Sequence, residues 1–414
     1  VRENDGVLEK EMTDCKEVQF CRVCGWGLGD VLNLGDQCLA GQFPARGEPD
    51  PPRFPLALKR CVEGCGLIQL GHTVNPELLF RRYGYRSAVT ATMRLHLGGL
   101  AEEAVKLLGR GPNAVLDIGG NDGTLASCFD NAFVIDPSDV TKEMSEAWFN
   151  RPYGVLSGFF PQCLPESGKL AWGPFDLIFT IACFYDAHDP VAFVKAVRDN
   201  LASNGLWCCE VSHLGSVLEN TAYDTICHEH LLYFAFDPFC EILRRGGLSF
   251  VCADLNDCNG GSMRVYACRD DCLDYPALGS SLPCVNGRLM QTFAERVEAS
   301  AASVRSYLDA CRRRGDIVHL LGASTKANVW LQHCGVTSHY IQAASDRDPR
   351  KHGKRTPGTG IPILSEEESR SRRPDVYLVG PWHFESEIIE REKGFLARGG
   401  RLAFPLPRLK EVKA

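Results

Sequence analysis

The sequence predicts an α/β protein: a doubly wound, mostly parallel sheet, preceded by a small cysteine module and followed by a second α/β domain. Three observations predict it. Strand-like and helix-like segments alternate from Val115 to Ser212, at lengths suited to βαβ units. Two cysteine pairs, Cys21/Cys24 and Cys61/Cys65, stand near the start. After Arg269 a stretch containing Pro and Gly, then a long polar helix near Met290 to Arg313, lead into a second alternating series. The expected divisions are 1–82, 83–285 and 286–414.

The cysteine module comes first. Cys21 and Cys24 form a C-x2-C knuckle, and Cys61 and Cys65 a C-x3-C one. Four thiolates on two such knuckles can surround Zn²⁺ tetrahedrally, and four ligands leave no open position, so the metal is expected to be structural. A glycine follows Cys24 and another follows Cys65, which favours the knuckle turn. The other reading is four unrelated buried cysteines in a chain that has 20.

A helical segment is expected from Tyr83 to Leu108, with apolar residues at helical spacing through LGGLAEEAVKLL. Strands VLDIG, FVIDPS, FDLIFTI and LWCCEVS follow, with a helix through PVAFVKAVRDNLA before the last. The first strand ends at Asp117, and Gly119, Asn121 and Gly123 form a tight turn into the next helix. Glycines there let the backbone approach a ligand closely. The nucleotide fingerprint G-x-G-x-x-G is absent. The pattern D-x-G-x-N-x-G is the acidic, glycine-rich form of class I methyltransferases, and Asp117 suits the ammonium group of S-adenosylmethionine better than a phosphate. Asp136, at the end of the next strand, is placed to hold ribose hydroxyls. An α/β domain that binds a sugar or nucleotide without chemistry is the competing reading.

Composition narrows the class. Hydrophobic residues make up 44% and charged residues 23%, a globular balance. The net charge of −7 argues against a broad nucleic-acid surface. No apolar run approaches the roughly 18 residues that would mark a membrane helix. The charged start has no signal-peptide core, and its lack of Met points to a trimmed or partial beginning. Most cysteines sit in apolar, strand-like runs, which points to a reducing, cytoplasmic compartment. Nothing in the sequence specifies an oligomer.

The segment AYDTICHEHLLYF carries His228, Glu229 and His230 in a row. Histidine suits proton transfer near neutral pH, and a neighbouring carboxylate can orient it or contact substrate hydroxyls. A cluster satisfied within the core is the bland alternative.

With these segments CRVCG, CVEGCGLIQL, RYGYRS, VLDIGGNDG, YDTICHEH, NGGSMRVY, GASTKANV and TPGTGIPI, the chain resembles the three-domain sugar C-methyltransferases. Those enzymes act on nucleotide-linked 4-keto-deoxysugars. The resemblance covers nearly the whole chain. It implies S-adenosylmethionine as cofactor, a nucleotide-linked sugar as small-molecule substrate and a role in deoxysugar biosynthesis. It also implies His230 as general base, with Glu229 beside it and Tyr85 as the tyrosine of the Y-x-Y-x-S segment. Cys227 stands where the family commonly has tyrosine, and ICHEH and PWHFE are distinctive, which leaves another carbonyl substrate open.

The implied chemistry is coherent. A ketone acidifies the neighbouring C–H, a base removes that proton, and the enolate carbon attacks the sulfonium methyl in line. Polar groups near the carbonyl oxygen, Tyr85 and Glu229 among them, would stabilise the enolate. In the last domain Gly322, Ser324, Thr325 and Lys326 lie where a strand turns into a helix, a fit for a diphosphate. His228, Arg355 and His383 are further substrate-binding candidates. A different methyl acceptor, or a non-catalytic zinc protein, are the remaining readings.

Overall fold

The computed structural model describes residues 14–80, 86–140, 154–272, 274–275, 282 and 285–414. The N-terminal module is built from β1 (Cys15–Glu17), β2 (Leu28–Cys38), β3 (Arg53–Cys61), β4 (Ile68–Leu70) and β5 (His72–Val74). β1 and β5 make a small antiparallel pair. β2, β3 and β4 form an antiparallel sheet whose fourth strand comes from far along the chain, Leu232–Tyr233. Sequence reading placed the cysteine pairs here but assigned no sheet, because β4 and β5 are too short to carry a period.

The central sheet contains β6 (Val115–Ile118), β7 (Ala132–Asp136), β8 (Val155–Ser157), β9 (Phe175–Ile181) and β10 (Leu201–Ser212). The added strand of the N-terminal sheet, Leu232–Tyr233, is β11; β12 (Leu248–Asn256) and β13 (Ser262–Arg269) complete the central sheet. Its order is β12-β13-β10-β9-β6-β7-β8. β8, β7, β6, β9 and β10 run parallel, while β13 lies antiparallel between β10 and β12. The strand order reverses between β6 and β9, the switch point where such sheets open a crevice for ligands. The parallel strands read as apolar runs because both faces are covered: β7 is buried throughout and β9 over all but its last residue. Expectation gave four parallel strands. The fifth, β8, has three residues, too few for a periodic signal.

Helices begin where capping residues allow. The helix before the cofactor loop spans Ala91–Leu108; Tyr83, where the sequence had it begin, lies outside the described residues. The Thr90 side chain accepts from the Met93 N–H at its start, and Gly109, at φ 73°, ends it. Leu97, Leu100, Ala101, Ala104 and Leu108 form its buried stripe.

The C-terminal sheet joins β14 (Val318–Leu321), β15 (Ala343–Asp346), β16 (Ile363–Ser365), β17 (Val376–Val379), β18 (Arg401–Phe404) and β19 (Lys410–Val412), in the order β16-β15-β14-β17-β18-β19. All neighbours are parallel except β18 and β19. The long helix expected ahead of it spans Phe293–Arg314. One buried apolar cluster runs through all three sheets, from Leu56 and Leu70 through Phe184 and Phe234 to Trp330 and Leu378. The N-terminal module is therefore not tethered loosely. The Gln332 side chain bonds both the N–H and the C=O of Cys38, at 2.8 and 3.1 Å, and Asn328 donates to the Ala40 carbonyl.

Candidate active site

The four cysteines converge. Cys21 Sγ lies 3.5 Å from Cys65 Sγ, Cys24 Sγ 3.4 Å from Cys61 Sγ, and all four sulfurs lie within 4.8 Å of one another. Sulfurs tetrahedrally placed around zinc sit about 3.8 Å apart, from a bond near 2.3 Å. Gly25 and Gly66 hold φ of 76° and 75°, the left-handed turns that the knuckles require. A Cβ on Gly64 would meet Cys24 Sγ at 2.5 Å, so the thiolates close over a residue that must be small. The donor set fits a structural zinc ion.

The cofactor loop leaves the switch point at the end of β6. Asp117 is buried, and its Oδ2 has no partner among the described residues. Burial, then the nearby Asp136, push its carboxyl up to about 7. Gly119 has φ 72°, and a Cβ there would strike the Cys183 sulfur at 2.6 Å. Asn121 and Gly123 are also left-handed, at 53° and 73°. The Asn121 N–H donates to Asp136 Oδ2 at 3.0 Å, and its side-chain oxygen accepts from the Ser87 N–H at 3.2 Å. Asp136 Oδ1 accepts from the Ser138 N–H and hydroxyl. Asp136 thus braces the loop itself. The loop leads into a three-residue 3₁₀ turn, Ala126–Cys128, rather than the expected helix. A buried acid with one unpartnered oxygen inside a glycine cradle fits the cationic methionine end of S-adenosylmethionine.

Past β10, a loop carries the His–Glu segment over the same edge. His230 Nδ1–H donates to the Thr225 carbonyl at 2.8 Å. Its ring leans on Tyr185, with centroids 4.2 Å apart. Burial holds its pKa down to about 4, against the Thr225 hydrogen bond, and the charge of Lys326 adds to the depression. Glu229 is buried with Oε2 unpartnered among the described residues, as are Asp186 Oδ1, Thr225 Oγ1 and Tyr233 Oη. Burial raises the Glu229 carboxyl; burial, then Glu229, raise Asp186 much further. The Cys183 thiol feels the charges of Asp186, Asp117 and Asp136, so this acid cluster adjoins the cofactor loop. Buried polar groups without partners are costly, and their concentration beside a glycine cradle makes this cluster the candidate site.

The C-terminal domain contributes Lys326, whose Nζ donates to the Asn259 carbonyl at 2.6 Å and whose charge reaches His230, Asp224 and His383. His383 is half-buried, its ring against Trp382 and Phe384, with a buried Nδ1 unpartnered among the described residues. Burial, then Lys326, hold its pKa down to about 3. Asp224, on the His–Glu loop, accepts from Trp382 Nε1 at 2.7 Å and bolts the two domains together. Ser324 caps the helix Thr325–His333, accepting from the Ala327 N–H at 3.1 Å.

Two expected substrate contacts are placed elsewhere. His228 turns away from its neighbour: Nε2–H donates to the Phe54 carbonyl of β3 at 3.1 Å, with the ring edge-on to Phe54. It secures the N-terminal sheet. The chain turns here, with the His230 N–H donating to the Cys227 carbonyl at 3.1 Å, so the two histidines do not share a face as they would two residues apart on a strand. Arg355 bonds the Asp50 carboxylate and the Glu48 carbonyl, so its charge is spent on the N-terminal module. Tyr85 lies outside the described residues.

Sequence reading missed Asp186, Thr225, Asp224, Trp382 and His213. The Nδ1 of His213 accepts from the Ser216 N–H at 3.2 Å, which leaves Nε2 carrying the proton, buried and unpartnered among the described residues. Asp224, Thr225 and Trp382 sat in segments already singled out; Asp186 and His213 become functional candidates through burial without a partner.

Comparisons with known proteins identify the family. The family models for a zinc binding domain, a methyltransferase domain and a C-methyltransferase C-terminal domain match residues 21–80, 93–253 and 257–407. C-methyltransferase NovU from Streptomyces niveus is 30% identical over 419 residues, covering 96% of this chain and 98% of NovU. Among solved structures, the mitomycin 7-O-methyltransferase MmcR is 18% identical, over 44% of this chain and 55% of that one, with a TM-score of 0.36. An S-adenosylmethionine-dependent methyltransferase from Clostridium acetobutylicum ATCC 824 is 13% identical, over 44% of this chain and 93% of that one, with a TM-score of 0.34. No helix among the described residues is long and apolar enough to cross a membrane. With its zinc-binding cysteines, methyltransferase sheet and C-terminal domain in this order, the chain belongs to the three-domain, S-adenosylmethionine-dependent C-methyltransferase family.

Proposed function

We propose that the protein methylates the carbon beside the ketone of a nucleotide-linked keto-deoxysugar, with His230 as the base. The observation that carries this reading is the His230 tautomer. The bond from Nδ1–H to the Thr225 carbonyl leaves Nε2 with its lone pair, and the lowered pKa keeps the ring neutral at neutral pH. Nε2 then accepts the substrate proton, and the ring is returned to neutrality by solvent after transfer.

Asp117, Gly119, Asn121, Gly123 and Asp136 would hold S-adenosylmethionine, which when bound would supply the electrophilic methyl group. Asp186, its carboxyl raised well above the ordinary range by burial and then by Glu229, serves as a hydrogen-bond donor in its protonated form, with Glu229 beside it. That donor and the Nε2–H of His213 suit an oxygen that gains charge as the enolate forms. Lys326 and the Ser324-capped helix offer positive charge for the diphosphate of the nucleotide, with His383 beside them.

The test is solvent exchange. Nucleotide-linked 4-keto-deoxysugars incubated with enzyme in deuterium oxide should exchange the proton next to the ketone, and S-adenosylmethionine should then yield a C-methylated product. A product methylated on oxygen or nitrogen without such exchange would overturn the reading.

A further inference from the structure

We propose that the protein holds a second metal ion, a divalent cation of the zinc class, at His96, Glu210 and Cys258. The three come from separate elements: the helix Ala91–Leu108, the end of β10, and the turn between β12 and β13. One donor atom from each lies within 4.8 Å of the other two. His96 Nε2 and Glu210 Oε1 are 2.6 Å apart. Nitrogen, oxygen and sulfur from three residues make the borderline donor set that zinc, cobalt and nickel prefer over magnesium or calcium.

The surroundings are built for these donors. Glu210 Oε2 accepts from Arg264 Nε and Nη2 at 3.0 and 2.9 Å, and from Asn256 Nδ2 at 3.0 Å. That fixes the carboxylate and directs Oε1 toward His96. The same Asn256 accepts the Cys258 N–H on Oδ1 at 3.0 Å, so one side chain orients two of the three donors. Bonds of this kind around a ligand set its direction and its affinity. Arg264 also pairs with Glu103, so its charge is offset and does not cancel that of Glu210.

A divalent ion bound by these donors would displace their protons to solvent. His96 and Cys258 are half-buried, so the site is reachable from solvent and keeps a fourth position for water. The bound ion would pin the helix ahead of the cofactor loop to the end of β10 and to the β12–β13 turn.

The experiment is zinc stoichiometry. Full-length protein equilibrated with micromolar zinc and freed of excess should carry about two zinc ions per chain by mass-spectrometric elemental analysis. Cys258→Ser and His96→Asn should each carry about one, and Cys240→Ser about two. Zinc added beyond the first equivalent should raise the melting temperature of the wild-type protein and of Cys240→Ser, but not of the two site variants. One zinc per chain in the wild-type protein, or two retained in both site variants, would overturn the proposal. If His96→Asn fails to fold, the milder Cys258→Ser decides alone.

Discussion

His230 Nδ1–H donates to the Thr225 carbonyl at 2.8 Å. A carbonyl can only accept, so the proton sits on Nδ1 and the lone pair on Nε2. The loop itself thereby selects the basic nitrogen, and the short span between the two residues keeps the ring from turning over.

Replacing His230 tests that assignment. His230→Asn and His230→Ala should fold and bind S-adenosylmethionine normally, while turnover falls by roughly 10²–10⁴, the usual contribution of a positioned acid–base group. Exchange of the substrate proton in deuterium oxide should slow equally. Intact exchange in both variants would put the base elsewhere.

Lys326 bears on the same proton transfer. Burial holds the pKa of His230, the proposed base, down to about 4, so kcat/KM should be level near neutrality and fall only as pH drops through that region. Lys326→Met removes a positive charge that depresses His230, so the acid limb should move to higher pH. KM for the nucleotide-linked substrate should rise at the same time. An unmoved pH profile with an unchanged KM would remove Lys326 from the site.

Cofactor binding should depend on Asp117. Its carboxyl, raised to about 7, is partly protonated at neutral pH. A cationic ligand favours the ionised form, so affinity should increase as pH rises through 7 and binding should release protons. Calorimetry in buffers of different ionisation enthalpy measures that release. Asp117→Asn should lose both the pH dependence and the proton release; their persistence would assign the titration to another group.

His228 should matter for stability rather than catalysis. His228→Ala removes the bond to Phe54 and leaves a buried carbonyl with one fewer donor, a cost of about 1–3 kcal/mol. Its folded pKa, about 4, lies below the ordinary value of 6.5. The neutral ring therefore contributes fully above pH 6.5, and the contribution is lost as pH falls toward 4. Denaturant melts of wild type and variant should differ most above pH 6.5 and converge below 4, with KM unaffected. A large rise in KM without destabilisation would restore His228 to the substrate site.

Zinc should support the whole chain, because the N-terminal sheet shares one apolar core with the other two. Cys61→Ser should lose about one zinc per chain and lower the melting temperature of the entire protein. Loss of that zinc with an unchanged melt would mean the module is independent of the rest.

Local signals in the sequence determined a good deal. Knuckle spacing marked all four zinc ligands, since a C-x2-C or C-x3-C turn brings its own sulfurs together before any long-range contact forms. Apolar runs marked β6, β7, β9 and β10, and the acid and glycines after β6 marked the cofactor turn. Tertiary structure decided the rest. The strand Leu232–Tyr233 joins a sheet formed some 160 residues earlier, a pairing that no local period records. His228 and His230 are identical in kind, yet one secures β3 and the other faces Lys326, because only the folded backbone sets which way each side chain points. Asp186, His213 and the His96–Glu210–Cys258 cluster draw their meaning from burial and from partners distant in sequence, which come together only when the chain has closed around them.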